Sequence, residues 1–98
     1  MSDIAIIGSG IAGLFSALKL ANAGHEVTVI TKQRLKDSST NWAQGGIAGI
    51  LDKTDIGGKE SHIQDTLKSG DGLCNESMVR EVIEGAAECI FELVNIGV

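Results

Sequence analysis

Ile4-Ala5-Ile6-Ile7 is an unbroken, branched apolar run, short enough for a strand and of the kind buried on both faces of a parallel sheet. Gly8, Gly10 and Gly13 follow, and from Ile11 the apolar positions Leu14, Leu18 and Ala21 recur at helical spacing, widened by Phe15 and Leu20. Gly24 supplies a left-handed stop. Glu26 to Thr31 is rich in β-branched residues and predicts a second strand. Residues 4–31 therefore predict one βαβ unit with a right-handed crossover.

After Lys32 the pattern loses its period. "QRLKDSSTN" is polar, "WAQGGIAGIL" is compact, apolar and glycine-rich, and "DKTDIGGK" is polar again, which predicts loops around a short apolar element. Two helices follow. A short one lies in "ESHIQDTLKSG" and ends at Gly70; a longer one is opened by Asn75 as N-cap, carries Val79, Val82, Ile83, Ala86, Ile90 and Val94 on one face, and stops at Gly97. The fold class is α/β: a Rossmann-like βαβ start, then loops and two helices. Val98 stands where the next strand of an alternating fold would begin, so the expectation is a fold incomplete at its C-terminus.

Composition sets bounds. A chain of 98 residues is at most one domain, burying only about 60–70% of its unfolded surface. Hydrophobic and charged shares of 43% and 21% are those of soluble globular chains and argue against a disordered or fibrous class. A net charge of -5 disfavours nonspecific nucleic-acid or anionic-membrane binding, which Lys and Arg carry. The short first run beside Asp3 is no signal peptide, and no stretch reaches the ~20 apolar residues of a membrane span, so the expected compartment is the cytoplasm. Cys74 and Cys89 make no CxxC and no ligand pattern with His25 or His62; they are expected to be buried free thiols, with no metal.

The glycines carry the chemistry. In a strand-to-helix turn the first permits the tight bend, the second lets a pyrophosphate lie against the backbone, and the third allows close helix-to-strand packing. Gly8, Gly10 and Gly13 have that spacing, and the helix start behind them offers unpaired N–H groups and the positive dipole end. A dinucleotide is implied. The acidic residue that grips a ribose hydroxyl in NAD sites is replaced by Lys32, which disfavours NAD, while Lys32, Arg34 and Lys36 suit the extra phosphate of NADP or form a solvated basic loop. "SSTNWAQGG" pairs small hydroxyls with Gly45-Gly46, a composition suited to a second part of a large ligand, and a nicotinamide domain has no need of it.

With "IIGSGIAGL", the stretches "SSTNWAQGGIAGIL" and "ESHIQDTLKSGDGLCNESMV" follow in order and spacing a pattern that resembles the N-terminal part of the L-aspartate oxidases, within the succinate dehydrogenase and fumarate reductase flavoprotein family. The resemblance covers nearly the whole chain. It implies FAD, with Ser9, Gly10, Ile11 and Ala12 on the pyrophosphate between Gly8 and Gly13, Lys32 near the adenosine end, and Ser39, Thr40, Asn41, Trp42, Ala43, Gln44, Gly45 and Gly46 wrapping the pyrophosphate, ribityl chain and flavin ring. Lysine at position 32 occurs within that family. Membrane-associated members resemble "SHTVAAQGG" here, with a histidine bonded to the flavin; Ser39 stands at that place, which implies noncovalent FAD.

The implied reaction is oxidation of L-aspartate to iminoaspartate, the first step of de novo NAD biosynthesis. Oxygen or fumarate would be the electron acceptor and quinolinate synthase the partner. Residues 1–98 would form the N-terminal part of an FAD-binding domain, truncated and without a substrate domain. The alternatives are a flavoprotein subunit related to fumarate reductase and a noncatalytic NADP-binding module.

No catalytic residue is expected within the chain. A dicarboxylate substrate needs convergent cations and an acid or base beside the reacting carbon, and the only arginines are Arg34 in a loop and Arg80 on a helix. Ser61 and His62 are adjacent on a helix and do not face one another. His25 lies in a turn, Trp42 suits either the flavin or a core, and Glu81, Glu84, Glu88 and Glu92 mark a solvated helix face.

Overall fold

A computed structural model describes residues 3–43 and 45–98 and divides into two units, Met1–Gly45 and Gly46–Val98. The first holds β1 (Ile4–Ile7), α1 (Ile11–Asn22), β2 (Val27–Ile30) and α2 (Ser39–Trp42); the second holds α3 (Ile56–Ser69) and α4 (Glu76–Asn95).

β1 and β2 pair in parallel, Ile4 opposite Val27 and Ile7 opposite Ile30, so the βαβ unit is formed as the pattern predicts. β2 is one residue shorter at each end than Glu26–Thr31. The Glu26 carbonyl accepts the amides of Asp3 and Ile4 at the strand's edge, and the Thr31 side chain turns to the glycine turn. α1 closes with a Schellman motif: Gly24, at φ +94°, donates to the Ala21 carbonyl and His25 to that of Leu20.

Two expectations about packing need correction. Only one face of the sheet is covered: Ile4, Ile6, Val27 and Val29 are half-buried, whereas Ile7 is 87% exposed and Ile30 50%. A single helix covers two strands on one side, and the first unit has no second layer among its described residues. α1 is also rotated from the predicted stripe. Gly13 makes the closest approach, where an added Cβ would lie 3.4 Å from Ile6 Cγ2. Ala17, four residues on, is half-buried, as are Ile11, Phe15 and Leu20 of the predicted stripe, while Leu14, Leu18 and Ala21 of that stripe are exposed.

The polar loop contains a turn of helix that the pattern does not predict. Ser38 caps α2, its hydroxyl accepting the Asn41 amide at 3.3 Å. α3 begins well before "ESHIQ", because Asp55 is its N-cap and accepts from the Gly58 amide at 2.8 Å. Gly70 does follow the last residue of α3, yet with φ -76° it is not left-handed; Asp71 and Gly72 take that conformation. A Cβ at Gly70 would collide with Cys74 Sγ, so smallness, and not backbone freedom, is what the position requires.

Asn75 caps α4 as predicted, accepting from the Met78 amide at 3.2 Å, and Gly97, at φ +98°, closes it with a second Schellman motif. The core of this unit is Ile63, Ile83, Ala87 and Leu93. Val79, Ala86 and Ile90 of the predicted stripe are half-buried, but Val82 and Val94 are exposed. The buried face turns toward Ala87 and Leu93 because α3 and the incoming segment at Gly49, which lies against Ala86 and Ile90, share the covering of α4. Cys74 is half-buried and donates to the Thr66 carbonyl at 3.7 Å, while Cys89 is exposed, contrary to the expectation of two buried thiols. Cys89 follows Ala87 and Glu88 out of the contact face. Glu81, Glu84 and Glu88 are exposed and Glu92 is partly covered.

Arg80 ties the two helices together. It meets Glu60 of α3 at 2.8 Å and Glu76 of α4 at 2.9 Å. Hydrogen bonds from Arg80, then from Gln64, hold the Glu60 carboxyl down from 4.5 to about 2. A carboxylate with a depressed folded value stabilises the fold above its ordinary titration range and loses that contribution as pH falls through the folded value. The Glu60 side-chain carboxyl resonance is therefore expected to titrate near pH 2 and not near 4.5. Arg80→Gln should move it up toward the ordinary range, and the α3–α4 pair then loses this support in full above about pH 4.5. A Glu60 midpoint unmoved by Arg80→Gln would refute the pairing.

Candidate dinucleotide site

The site is assembled at the C-terminal end of β1 and grows from three different uses of glycine. Gly8 has φ +111°, a conformation L side chains rarely adopt, and it bends the chain out of the strand while its amide still donates to Ile30 at 2.8 Å. Gly13 is needed for contact, since a Cβ there would collide with the Gly8 carbonyl. Gly10 needs neither: at φ -73°, ψ 179° its backbone is ordinary extended chain. What a Cβ at Gly10 would meet is Thr40 Oγ1, at 3.1 Å. Its missing side chain leaves backbone bare at the helix start.

Gly10 is the N-cap of α1, and the first intrahelical bond is the Leu14 amide to the Gly10 carbonyl. The amides of Ile11, Ala12 and Gly13 thus have no partner within the helix and face the turn with the positive end of the dipole. Thr40 Oγ1 accepts the Ile11 amide at 3.0 Å. α2 is thereby brought onto the glycine turn from 29 residues away.

Ser9, between the two glycines, is the buried polar residue of the described chain at 5% exposure, and its hydroxyl pairs with Thr31 Oγ1 at 3.0 Å. Its side chain faces β2; only its backbone faces the turn. The periodicity treats Thr31 merely as the end of a strand, and the available signal was a hydroxyl immediately before Lys32, at the level of the turn. Lys32 itself is exposed just beyond β2. Arg34 and Lys36 lie in an exposed turn where the Arg34 amide donates to Asp37 at 3.2 Å.

Ser39, Thr40, Asn41 and Trp42 form α2, all exposed, with Trp42 at 76%, so the indole takes no part in a core of this unit. Ala43 and Gly45 continue in exposed irregular chain; Gln44 lies outside the described residues, and Gly46 opens the second unit. The remaining candidates stay apart from this cluster. Ser61 is exposed, and His62 borders an apolar groove of about 370 Å³ within the second unit, with Cys74, Met78 and Val82. Arg80 is committed to its two glutamates.

A family described as FAD binding domain matches residues 3–98. The chain belongs to that family. FAD is its cofactor, and the turn fits one: a bare backbone at Gly10, helix amides aimed at the bend, and a hydroxyl-bearing segment laid beside them. The FAD binding domain chain is 47% identical over 97 residues to the L-aspartate oxidase of Pseudomonas aeruginosa, covering 98% of this chain and 17% of that protein. It is 42% identical over 96 residues to the L-aspartate oxidase of Streptomyces coelicolor, covering 98% and 16%. To L-aspartate oxidase 2-a, chloroplastic, of Nicotiana tabacum it is 47% identical over 95 residues, covering 97% and 14%. The chain thus spans about a sixth of the length of the curated relatives it matches. Among the described residues no helix is long and apolar enough to cross a membrane.

Proposed function

We propose that this chain is the N-terminal part of the FAD-binding domain of an L-aspartate oxidase, and that the whole protein oxidises L-aspartate to iminoaspartate at the start of NAD biosynthesis. The observation that carries the reading is the docking of α2 onto the glycine turn through Thr40 and the Ile11 amide, in a chain 42–47% identical to L-aspartate oxidases over nearly its full length.

In this reading Ser9, Gly10, Ile11 and Ala12 line the pyrophosphate, with the amides of Ala12 and Gly13 turned to it while Thr40 holds that of Ile11, Gly8 sets the bend, and Lys32 serves the adenosine end. Ser39 through Gly46 lines the pyrophosphate, ribityl chain and flavin. Bound FAD supplies the hydride acceptor, while the protein supplies orientation and electrostatics. Ser39 offers a hydroxyl where a covalent attachment would need an imidazole, so FAD is held noncovalently. The cations that receive the two substrate carboxylates come from elsewhere in the whole protein, since Arg80 is already engaged by Glu60 and Glu76. The 98 residues alone are inactive. Oxygen or fumarate accepts the electrons, quinolinate synthase consumes the imine, and the reaction runs in the cytoplasm.

The test is the absorption spectrum of the purified full-length protein. It should be yellow, release its FAD into the supernatant on acid precipitation, and bleach on anaerobic addition of L-aspartate. A colourless protein that cannot be reconstituted with FAD would end the reading, and a flavin that stays yellow with aspartate but bleaches with another dicarboxylate would reassign the substrate.

A further inference from the structure

We propose that the Ser9–Thr31 hydroxyl pair is a positioning device that holds the phosphate-binding turn in register with the adenosine end of the cradle. Ser9 then serves FAD through its grip on β2. The inference rests on the cofactor reading above and adds to it a role for a side chain that points away from the ligand.

The turn is mechanically weak where it matters. Ser9 is the one side chain between Gly8 and Gly10, so packing at its neighbours cannot hold the bend. Two ties do so instead. The Gly8 amide donates to the Ile30 carbonyl at 2.8 Å, and the Ser9 hydroxyl pairs with Thr31 Oγ1 at 3.0 Å. Consecutive residues of the turn are thus stitched to consecutive residues at the exit of β2, and Lys32 is the next residue along. The second tie is part-buried, between Ser9 at 5% exposure and the half-buried Thr31, so water competes for it less than for an exposed pair.

A dinucleotide spans both places, pyrophosphate at the turn and adenosine beyond β2. With the pair intact the two sub-sites are set at a fixed separation before the ligand arrives. Without it, binding must also order the turn, and that cost falls on the affinity. A ligand reaching only one sub-site does not sense their separation.

The experiment uses the full-length protein stripped of FAD, with Ser9→Ala, Thr31→Val, the double variant and Thr31→Ser. FAD affinity is read by flavin fluorescence, ADP and adenosine by competition, and folding by thermal unfolding of the cofactor-free protein. Ser9→Ala and Thr31→Val are each expected to weaken FAD and ADP about tenfold, equivalent to about 1.4 kcal/mol, and to leave adenosine unchanged. The double variant should be no worse than either single one, since both remove the same bond, and Thr31→Ser should bind FAD as the parent does. Unchanged FAD binding in both single variants, additive losses, or an equal loss for adenosine would overturn the proposal. So would variants at both positions that fail to fold, because the hydroxyls would then serve the fold alone. A parent that takes up no FAD would overturn the cofactor reading itself.

Discussion

Gly13→Ala is expected to cost the full-length protein both stability and cofactor. The added methyl would collide with the Gly8 carbonyl and come within 3.4 Å of Ile6 Cγ2. The first obstacle is backbone and cannot swing aside as a flexible side chain would, so either α1 lifts from β1 or the turn opens. Overpacking of this kind costs roughly 1–3 kcal/mol, and either response displaces the amides of Ala12 and Gly13 from the bend. The cofactor-free protein should unfold at a lower temperature, and FAD should bind roughly 5- to 150-fold more weakly on the same energy scale. An unchanged melting temperature would show that the helix does not pack on the strand as described.

Gly10→Val separates the ligand from the fold. At φ -73°, ψ 179° valine suffers no backbone strain, and the neighbour a Cβ would touch is the Thr40 hydroxyl of an exposed residue. The cofactor-free protein should therefore melt close to the parent, losing at most the exposed bond from the Ile11 amide to Thr40. Its branched side chain, however, stands where the pyrophosphate must approach the amides. Each charge-assisted hydrogen bond lost is worth about 1.5–3 kcal/mol, so losing one weakens FAD roughly 10- to 150-fold. Retention of full FAD content in purified Gly10→Val protein would remove the cradle from the site. The contrast with Gly13 is the sharper test, because two glycines three positions apart should fail by different routes.

What could be read from the residues was whatever local physics decides. β1, α1, the cap at Asn75 and the left-handed stops at Gly24 and Gly97 follow from runs, spacing and capping chemistry within a few residues. Which side of a helix is buried is decided by its neighbours, and there the pattern erred. α1 turns on Gly13 and away from Leu14 and Leu18, and α4 toward Leu93 and away from Val94, because a sheet or a second helix covers only part of an apolar circumference. α2 escaped notice since a four-residue turn capped by a serine has no period to detect. Within the site, the bend at Gly8 and the close contact at Gly13 could be stated beforehand, but the bonds of Ser9 to Thr31 and of Ile11 to Thr40 span 22 and 29 residues, and spacing along the chain carries no trace of such pairings.

The bare side of the two-stranded sheet has a bearing on how the protein must be made. Ile7 and Ile30 meet water there, and among the described residues the sheet has two strands. Until that side is covered, it offers a greasy, adhesive template to other unfinished chains. Slow translation or high expression should accordingly favour inclusion bodies, and cooler induction with added chaperone capacity should raise the soluble yield.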